Sequence, residues 1–162
     1  MELLRFAPDV LALAGCLRRR GWRMAAAESC TGGLIAAACT AVAGSSDWFE
    51  GSLVVYSNAA KTRWLGVPAL LIRQHGAVSE EVARAMLSGA LFAGEADLAV
   101  AITGIAGPDG SLPQLPAGTV WLAWGTADAQ RAERLQLPGD RDAVRNATVV
   151  AALQRLLETA RG

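Results

Sequence analysis

Three side chains that could perform nucleophilic chemistry follow two neighbouring extended segments of the chain. Ser29 ends a short extended segment, within the run Ala27-Glu28-Ser29-Cys30-Thr31-Gly32-Gly33. Tyr56 and Lys61 follow the next extended segment and are the only Tyr and the only Lys in the sequence. A serine hydroxyl becomes a nucleophile when a nearby base removes its proton, and a desolvated Lys can be that base. The three residue types therefore predict acyl transfer, with Tyr56 either relaying a proton or orienting Lys61.

The basic residues are strongly biased towards arginine, because Lys61 is the only lysine among fifteen Lys and Arg residues. Arg stays protonated in proteins, whereas burial can lower the pKa of a Lys until it acts as a base. Composition leaves two interpretations open, a lysine retained for catalysis or a solvated helix cation that remained by chance.

The run that contains Ser29 is also typical of a helix start. Small and hydroxyl residues precede an apolar helical pattern there, and the first N–H groups of a helix have no partner within it. Ser29 is thus either a helix N-cap or a nucleophile. In the second case, N–H groups around Thr31 to Gly33 would stabilise a tetrahedral oxyanion or hold a phosphate.

Two other glycine-containing segments are candidate anion sites. Thr103–Gly110 follows a continuous apolar run, and Gly139-Asp140-Arg141 precedes the last helical pattern. Backbone N–H groups and a guanidinium can bind anions at such places, although simple turns and caps have the same composition.

Several other kinds of site are not predicted. His75 is the only His, so a zinc site built on imidazoles is not expected, and a Ser-His-acid triad would depend on this one residue in a predicted loop. The glycine loops match neither the dinucleotide fingerprint nor the ATP phosphate loop. We therefore predict no metal and no cofactor.

The apolar pattern predicts helices that alternate with five strands. The predicted strands are 22–27, 53–56, 98–102, 119–124 and 131–137. The predicted helices begin at Ala7, Leu34 and Asp140, and two more begin at the predicted caps Asn58 and Ser79. This alternation predicts an α/β fold, a three-layer α/β/α sandwich. The last two strands form a hairpin, which makes the mostly parallel sheet mixed. Because ligands of such sheets lie where strands end and helices begin, Ser29, Asn58 and Thr103 are expected to be neighbours.

Length and charge restrict the classes of partner. The 162 residues are about half apolar and predict a single domain over 1–162. The formal net charge is zero, so no nucleic acid and no membrane partner is expected. The three cysteines are odd in number and lack Cys-x-x-Cys spacing, which predicts free thiols and a cytoplasmic location.

Several segments together resemble a known family. They are Ala27-Glu28-Ser29-Cys30-Thr31-Gly32-Gly33, Ala43-Gly44-Ser45-Ser46, Val55-Tyr56-Ser57-Asn58-Ala59-Ala60-Lys61, His75-Gly76-Ala77-Val78-Ser79, Thr103-Gly104-Ile105-Ala106-Gly107-Pro108 and Gly139-Asp140-Arg141. At these residues nearly the whole chain is similar to the C-terminal domain of competence/damage-inducible CinA proteins, whose stand-alone members act as nicotinamide-nucleotide amidases.

The resemblance implies hydrolysis of nicotinamide mononucleotide, a small-molecule nucleotide substrate, to nicotinic acid mononucleotide and ammonia. It implies Ser29 as nucleophile with Tyr56 and Lys61 assisting. It also implies a homo-oligomer. Implied substrate-binding residues are Gly32, Gly33, Ser46, Asn58, Thr103, Gly107 and Arg141. Two alternatives remain: a non-catalytic nucleotide-binding domain with a regulatory role, and a Ser-Lys amidase for another small amide.

One loop departs from the family pattern. Many members continue the glycine loop with a second Gly and a Lys-Pro-Val-Gly run. In this sequence Ser111 follows Gly110, and Leu115-Pro116-Ala117-Gly118 lacks the Lys. The departure concerns the predicted phosphate-binding loop and leaves the three candidate catalytic residues intact.

Overall fold

A computed structural model describes residues 3–162, and residues 1 and 2 of the predicted domain lie outside the described residues. Its main elements are α1 (Ala7–Arg20), β1 (Met24–Glu28), α2 (Leu34–Thr40), β2 (Phe49–Val54), α3 (Asn58–Leu65), α4 (Ala69–His75), α5 (Glu80–Ala93), β3 (Leu98–Gly104), β4 (Thr119–Gly125), β5 (Gln130–Gln136) and α6 (Arg141–Arg161). Short 3₁₀ turns at Leu3–Phe6 and Ser45–Asp47 complete the described secondary structure.

The strands form one five-stranded sheet in the order β2-β1-β3-β4-β5. β1 is parallel to β2 and to β3, whereas β4 is antiparallel to β3 and to β5. Four strands therefore run in one direction and only β4 runs against them. The predicted mixed, mostly parallel sheet is confirmed.

Helices cover both faces of this sheet, because side chains of the central strands are apolar in both directions. In β1, Met24 and Ala26 pack with α1, α2 and α6, whereas Ala25 and Ala27 pack with α3, α4 and α5. Successive side chains of a strand point to opposite faces, and burial on both faces is typical of central parallel strands. The predicted three-layer α/β/α arrangement is confirmed.

Three local predictions around the second strand were wrong. β2 begins at Phe49 and ends at Val54, earlier than the predicted 53–56 segment, because Gly51 and polar neighbours on this edge strand hide the alternating pattern. His75 ends α4, a seven-residue helix too short to give a helical period, instead of lying in a loop. Ser57 caps α3 in place of Asn58, since its Oγ accepts a hydrogen bond from the N–H of Ala60 at 3.0 Å.

Helix α3 is held against α5 through a glycine, and a substitution there is expected to destabilise the protein. A Cβ on Gly89 would overlap the carbonyl oxygen of Leu65, the last residue of α3. Gly89→Ala should therefore lower the free energy of unfolding by about 2 kcal/mol, as overpacking does. Urea denaturation measures the change.

Gly15 in α1 provides the matched control. The nearest atom to a Cβ there is Arg19 Nη1 at 3.4 Å, an ordinary contact with a flexible side chain. Gly15→Ala should raise the free energy of unfolding by about 0.8 kcal/mol, because Ala is the better helix former. Equal effects of the two substitutions would contradict the proposed close packing of α3 on α5.

Candidate active site

The end of β1 places two consecutive side chains on opposite faces of the sheet. The Glu28 side chain points to the face of the sheet that α2 covers, whereas the Ser29 side chain points to the face that α3 covers. The backbone N–H of Ser29 donates to the carbonyl of Ile102 at 3.1 Å, which ties this residue to the neighbouring strand β3. Ser29 is buried, with 7% of its surface exposed, at the point where the parallel strands end. This is the edge at which open α/β sheets bind ligands.

Lys61 reaches Ser29 from the first turn of α3. Its side chain is 2% exposed, and its Nζ lies 3.1 Å from Ser29 Oγ. Two backbone carbonyls also surround the amine, Val55 O at 3.1 Å and Tyr56 O at 3.2 Å. Burial lowers the pKa of the Lys61 amine below its usual value, and the effect of the nearby Cys30 opposes this shift.

This arrangement suits a neutral amine that acts as a base. Carbonyl oxygens only accept hydrogen bonds, so the Val55 and Tyr56 carbonyls take two N–H groups of the Lys61 amine. A neutral amine has two N–H groups and one lone pair. In that neutral form the lone pair would face Ser29 Oγ at 3.1 Å, within the reach required of a general base, whereas in the protonated form the third N–H donates to this oxygen.

Cys30 is a second potential nucleophile beside Ser29. Burial raises the pKa of its thiol to about 11, although Arg141 and Arg145 lie near enough to oppose the shift. The thiolate is the reactive form of cysteine, so a thiol with this pKa is inert at neutral pH. Ser29, in contrast, has the Lys61 amine within hydrogen-bond distance of its Oγ.

Ser29 and Lys61 open into a cavity of about 330 Å³. Most of the predicted site residues line it: Ser29, Tyr56, Asn58, Lys61, Thr103, Gly107 and Arg141. Its walls also include the loop after β3, from Ile105 to Asp109, and the Ala77-Val78 segment before α5. The size is that of a small-molecule site.

The Tyr56 side chain points away from Lys61 towards the cavity mouth. The tyrosine is 62% exposed, and its hydroxyl accepts a hydrogen bond from Arg141 Nη2 at 3.1 Å. Arg141 Nη1 donates to the carbonyl of Gly107 at 2.8 Å, which joins the start of α6 to the glycine loop. In this structure it is the backbone carbonyl of Tyr56 that orients Lys61.

Thr103 shapes the opposite wall of the cavity. Its buried hydroxyl donates to the carbonyl of Ala77 at 2.7 Å and so ties the end of β3 to the segment before α5. Asn58 is exposed at the start of α3 and reaches the cavity beside Tyr56.

The structure does not bring Gly32, Gly33 and Ser46 to the cavity lining. The N–H of Gly33 donates to Glu28 Oε2 at 3.0 Å, and the N–H of Gly32 donates to the carbonyl of Ser29 at 3.0 Å. Of the N–H groups around Thr31 to Gly33 that were predicted to bind an oxyanion, those of Gly32 and Gly33 are therefore already engaged within the protein. Ser46 is exposed in the 45–47 turn, where its carbonyl accepts from Arg23.

Two charged residues near the nucleophile were not predicted as site residues. Glu28 is fully buried, and Arg145 Nη2 donates to the carbonyl of Thr31 at 3.0 Å. A carboxylate at the end of a wholly apolar strand was one signal, and the i, i+4 spacing of Arg145 from Arg141 was another. Within residues 3–162, no group of three or more His, Cys, Asp and Glu residues could hold a metal ion. In the same range no helix is long and apolar enough to cross a membrane.

Several known proteins are similar to this chain in sequence. Nicotinamide-nucleotide amidohydrolase of Pseudomonas putida is 58% identical over 142 residues, which cover 88% of this chain and 89% of that protein. The protein of the same name from Escherichia coli strain K12 is 51% identical over 156 residues, covering 96% and 93%. The chain spans 35% of the length of relatives named CinA-like protein.

The solved structures show the same fold. A crystal structure of a CinA superfamily protein from Klebsiella pneumoniae is 38% identical in sequence and matches with a TM-score of 0.93, covering 96% of this chain and 98% of that one. Residues 10–160 match the family model described as the CinA C-terminal domain. The chain therefore belongs to the CinA C-terminal domain family.

Proposed function

We propose that this chain is a nicotinamide-nucleotide amidohydrolase, which converts nicotinamide mononucleotide and water to nicotinic acid mononucleotide and ammonia. The names of its relatives support the substrate. The observation that carries the proposal is the Lys61 amine, buried 3.1 Å from Ser29 Oγ with two carbonyls taking its N–H groups. Such a pair has the geometry of a nucleophile and its base.

The first half-reaction forms an ester. Lys61 Nζ accepts the proton of Ser29 Oγ while the oxygen attacks the carboxamide carbon. The C–N bond of the tetrahedral intermediate then breaks, and the ammonium of Lys61 returns a proton to the leaving nitrogen, which departs as ammonia. Ser29 is left esterified by the nicotinoyl group of the nucleotide.

The second half-reaction uses water in the same way. Lys61, neutral again, accepts a proton from water as the oxygen attacks the ester carbon. The ester C–O bond breaks and Ser29 Oγ recovers its proton from Lys61. The product is the carboxylic acid of nicotinic acid mononucleotide, which releases its proton to solvent and leaves as the carboxylate. No metal or organic group takes part in either step.

The oxyanion of each tetrahedral intermediate needs donors near Ser29. Cys30 lines the cavity, and among residues 3–162 no backbone carbonyl accepts from its N–H, while the N–H groups of Gly32 and Gly33 are engaged. We assign oxyanion binding to Cys30, since the N–H after a nucleophile has this role in other hydrolases. One such donor is typically worth about 3 kcal/mol.

Binding of the nucleotide is assigned to the rim of the cavity. Arg141 at the mouth is the cation placed to bind the substrate phosphate, with Tyr56 and Gly107 holding its guanidinium. Asn58 and Thr103 remain proposed binding residues on the walls. Gly32, Gly33 and Ser46 lie outside the lining, so a direct role for them has no support from the geometry. The predicted homo-oligomer stays a prediction.

A substrate comparison tests the proposal. The purified chain should release ammonia from nicotinamide mononucleotide, and chromatography should show nicotinic acid mononucleotide in equal amount. Nicotinamide riboside, which lacks the phosphate, should have a kcat/KM about 100-fold lower, because about 3 kcal/mol of charge-assisted hydrogen bonding is lost. Binding of the mononucleotide without ammonia release would favour the non-catalytic alternative, and equal rates on unrelated small amides would favour a general amidase.

A further inference from the structure

We propose that Glu28 is a positioning residue of this amidase, which holds Ser29 at the distance from Lys61 that proton transfer requires. The inference rests on the proposed function insofar as Ser29 is the nucleophile. Glu28 acts from the opposite face of the sheet and does not touch the cavity. Its role is to fix the shape of the turn on which Ser29 stands.

The carboxylate of Glu28 accepts hydrogen bonds from five donors. Oε2 accepts from Thr31 Oγ1 at 2.8 Å, from Gly33 N at 3.0 Å and from Ile35 N at 3.1 Å. Oε1 accepts from Ala36 N at 3.0 Å and from Ser52 Oγ at 2.8 Å. Every partner donates, and three of them are backbone N–H groups that can only donate.

These bonds replace the ordinary cap of a helix. The N-cap position of α2 is Gly33, which has no side chain, and its backbone adopts a positive φ of 93°. The first N–H groups of a helix need partners from outside it. Glu28 supplies them from five residues before the cap, so a single carboxylate links the end of β1, the start of α2 and β2.

Capping α2 with the buried Glu28 carboxylate costs free energy that an ordinary N-cap would not. Glu28 is 0% exposed, and no Lys, Arg or His forms an ion pair with it in the part of the chain that the structure describes. Burial of an unpaired charge is expensive, whereas an exposed Ser or Asp at the N-cap does the same local task at lower cost. We infer that the buried carboxylate is kept for the geometry that it imposes.

The geometry concerns residues 29–33, which have no regular helix or strand structure. The turn is held on one side by Ser29 N–H to Ile102 O at 3.1 Å and on the other by the Glu28 carboxylate. If the carboxylate is lost, the turn is free to shift relative to α3, which carries Lys61. A displacement of about 1 Å in a reacting group can reduce a rate about 100-fold.

The position of the nucleophile can be separated from the strength of the base. The pKa of Lys61 is lowered by its own burial and is affected by Cys30, and Glu28 does not contribute. Loss of Glu28 should therefore lower the rate of Ser29 reactions without moving the pH at which Lys61 becomes active. A change that merely loosened the whole domain would expose Lys61 and move this pH upwards.

The test compares Glu28→Gln with Thr148→Ala. Gln keeps the size of the side chain but turns one acceptor into a donor, which cannot pair with the Ala36 or Ile35 N–H groups. Thr148 is buried in α6, where its hydroxyl donates to the Val144 carbonyl, so its loss is a matched buried-polar change away from the site. We expect Glu28→Gln to react with phenylmethylsulfonyl fluoride at Ser29 about 100-fold more slowly than Thr148→Ala. Its kcat on nicotinamide mononucleotide should fall by the same factor, with KM within threefold and an unchanged ascending limb of the pH–rate profile.

Two results would overturn the inference: a Glu28→Gln rate within threefold of the Thr148→Ala rate, or an ascending limb displaced along the pH axis. If Glu28→Gln does not fold, Ser52→Ala serves as the second variant, because it removes one of the five donors to Glu28. Ser52→Ala should slow sulfonylation of Ser29 about threefold, and an unchanged rate would overturn the inference. Sulfonylation does not depend on the nucleotide. A wild type that is labelled at Ser29 but releases no ammonia would refute the proposed substrate and leave the role of Glu28 intact.

Discussion

Ser29→Ala is expected to lower kcat for ammonia release from nicotinamide mononucleotide by about 10⁴-fold, with KM within threefold of the wild-type value. The substitution removes the atom that forms the ester, whereas the cavity walls that bind the nucleotide remain. Losses of this size follow the removal of a nucleophile that acts as a unit with its base. The neighbouring Cys30 cannot replace it at neutral pH, because burial raises the pKa of its thiol to about 11.

The matched control is Ser88→Ala, which removes an exposed serine hydroxyl on α5 that only accepts from Gln130 at 3.3 Å. Its kcat should equal that of the wild type. Mass spectrometry after rapid quenching should show the nicotinoyl-nucleotide ester on the wild type and none on Ser29→Ala. Turnover by Ser29→Ala at more than a tenth of the wild-type rate would exclude the covalent mechanism and leave direct attack by water as the alternative.

The approach of Ser29 and Lys61 could be predicted from the sequence because both follow strands that end at one edge of the sheet. Pattern placed each residue just after an apolar extended segment, and parallel strands bring such positions together. The same reasoning correctly grouped Thr103 and Asn58 with them. This grouping depended on the order and direction of the strands. The alternation of helices and strands along the chain allows few such arrangements.

The detail of the Ser29 turn could not be predicted in this way. The pattern indicated that the N–H groups around Gly33 would be free, since a helix start normally leaves them so. The Glu28 carboxylate accepts hydrogen bonds from these N–H groups although it lies earlier in the chain, and it also accepts one from Ser52 on another strand. Contacts of this kind depend on side-chain direction and tertiary packing, for which local propensity carries no information.

The contacts of Tyr56 show a similar limit. Its residue type suggested a phenol acting beside the amine of Lys61, but its side chain lies on Arg141 and its backbone carbonyl meets the amine. A backbone group has no signature in the residue type. The sequence therefore predicted that Tyr56 lies beside Lys61 and left open which atom of Tyr56 meets the amine.

Lys61→Ala is expected to lower kcat by about 10³-fold, and small primary amines added to the assay should restore part of the rate. General-base catalysis contributes up to about 10⁴-fold, and truncation at a buried position leaves a space in which an amine can bind. The wild-type rate should rise with pH along a limb whose pKa lies below the usual Lys value of about 10.4, because burial disfavours the protonated amine. Lys61→Ala should lack this limb until an amine is added, and the limb should then follow the pKa of that amine.

The pH dependence of stability provides a second measure of the same shift. The unfolded chain binds the Lys61 proton up to about pH 10.4, whereas the folded chain releases it at lower pH, so the unfolded state holds more protons between the two values. In that window the free energy of unfolding of the wild type should rise with pH relative to that of Lys61→Ala. Arg63→Ala, which removes an exposed cation from the same helix, should keep the wild-type rate and pH dependence. If Lys61→Ala retained the ascending limb without added amine, a group other than Lys61 would be the base.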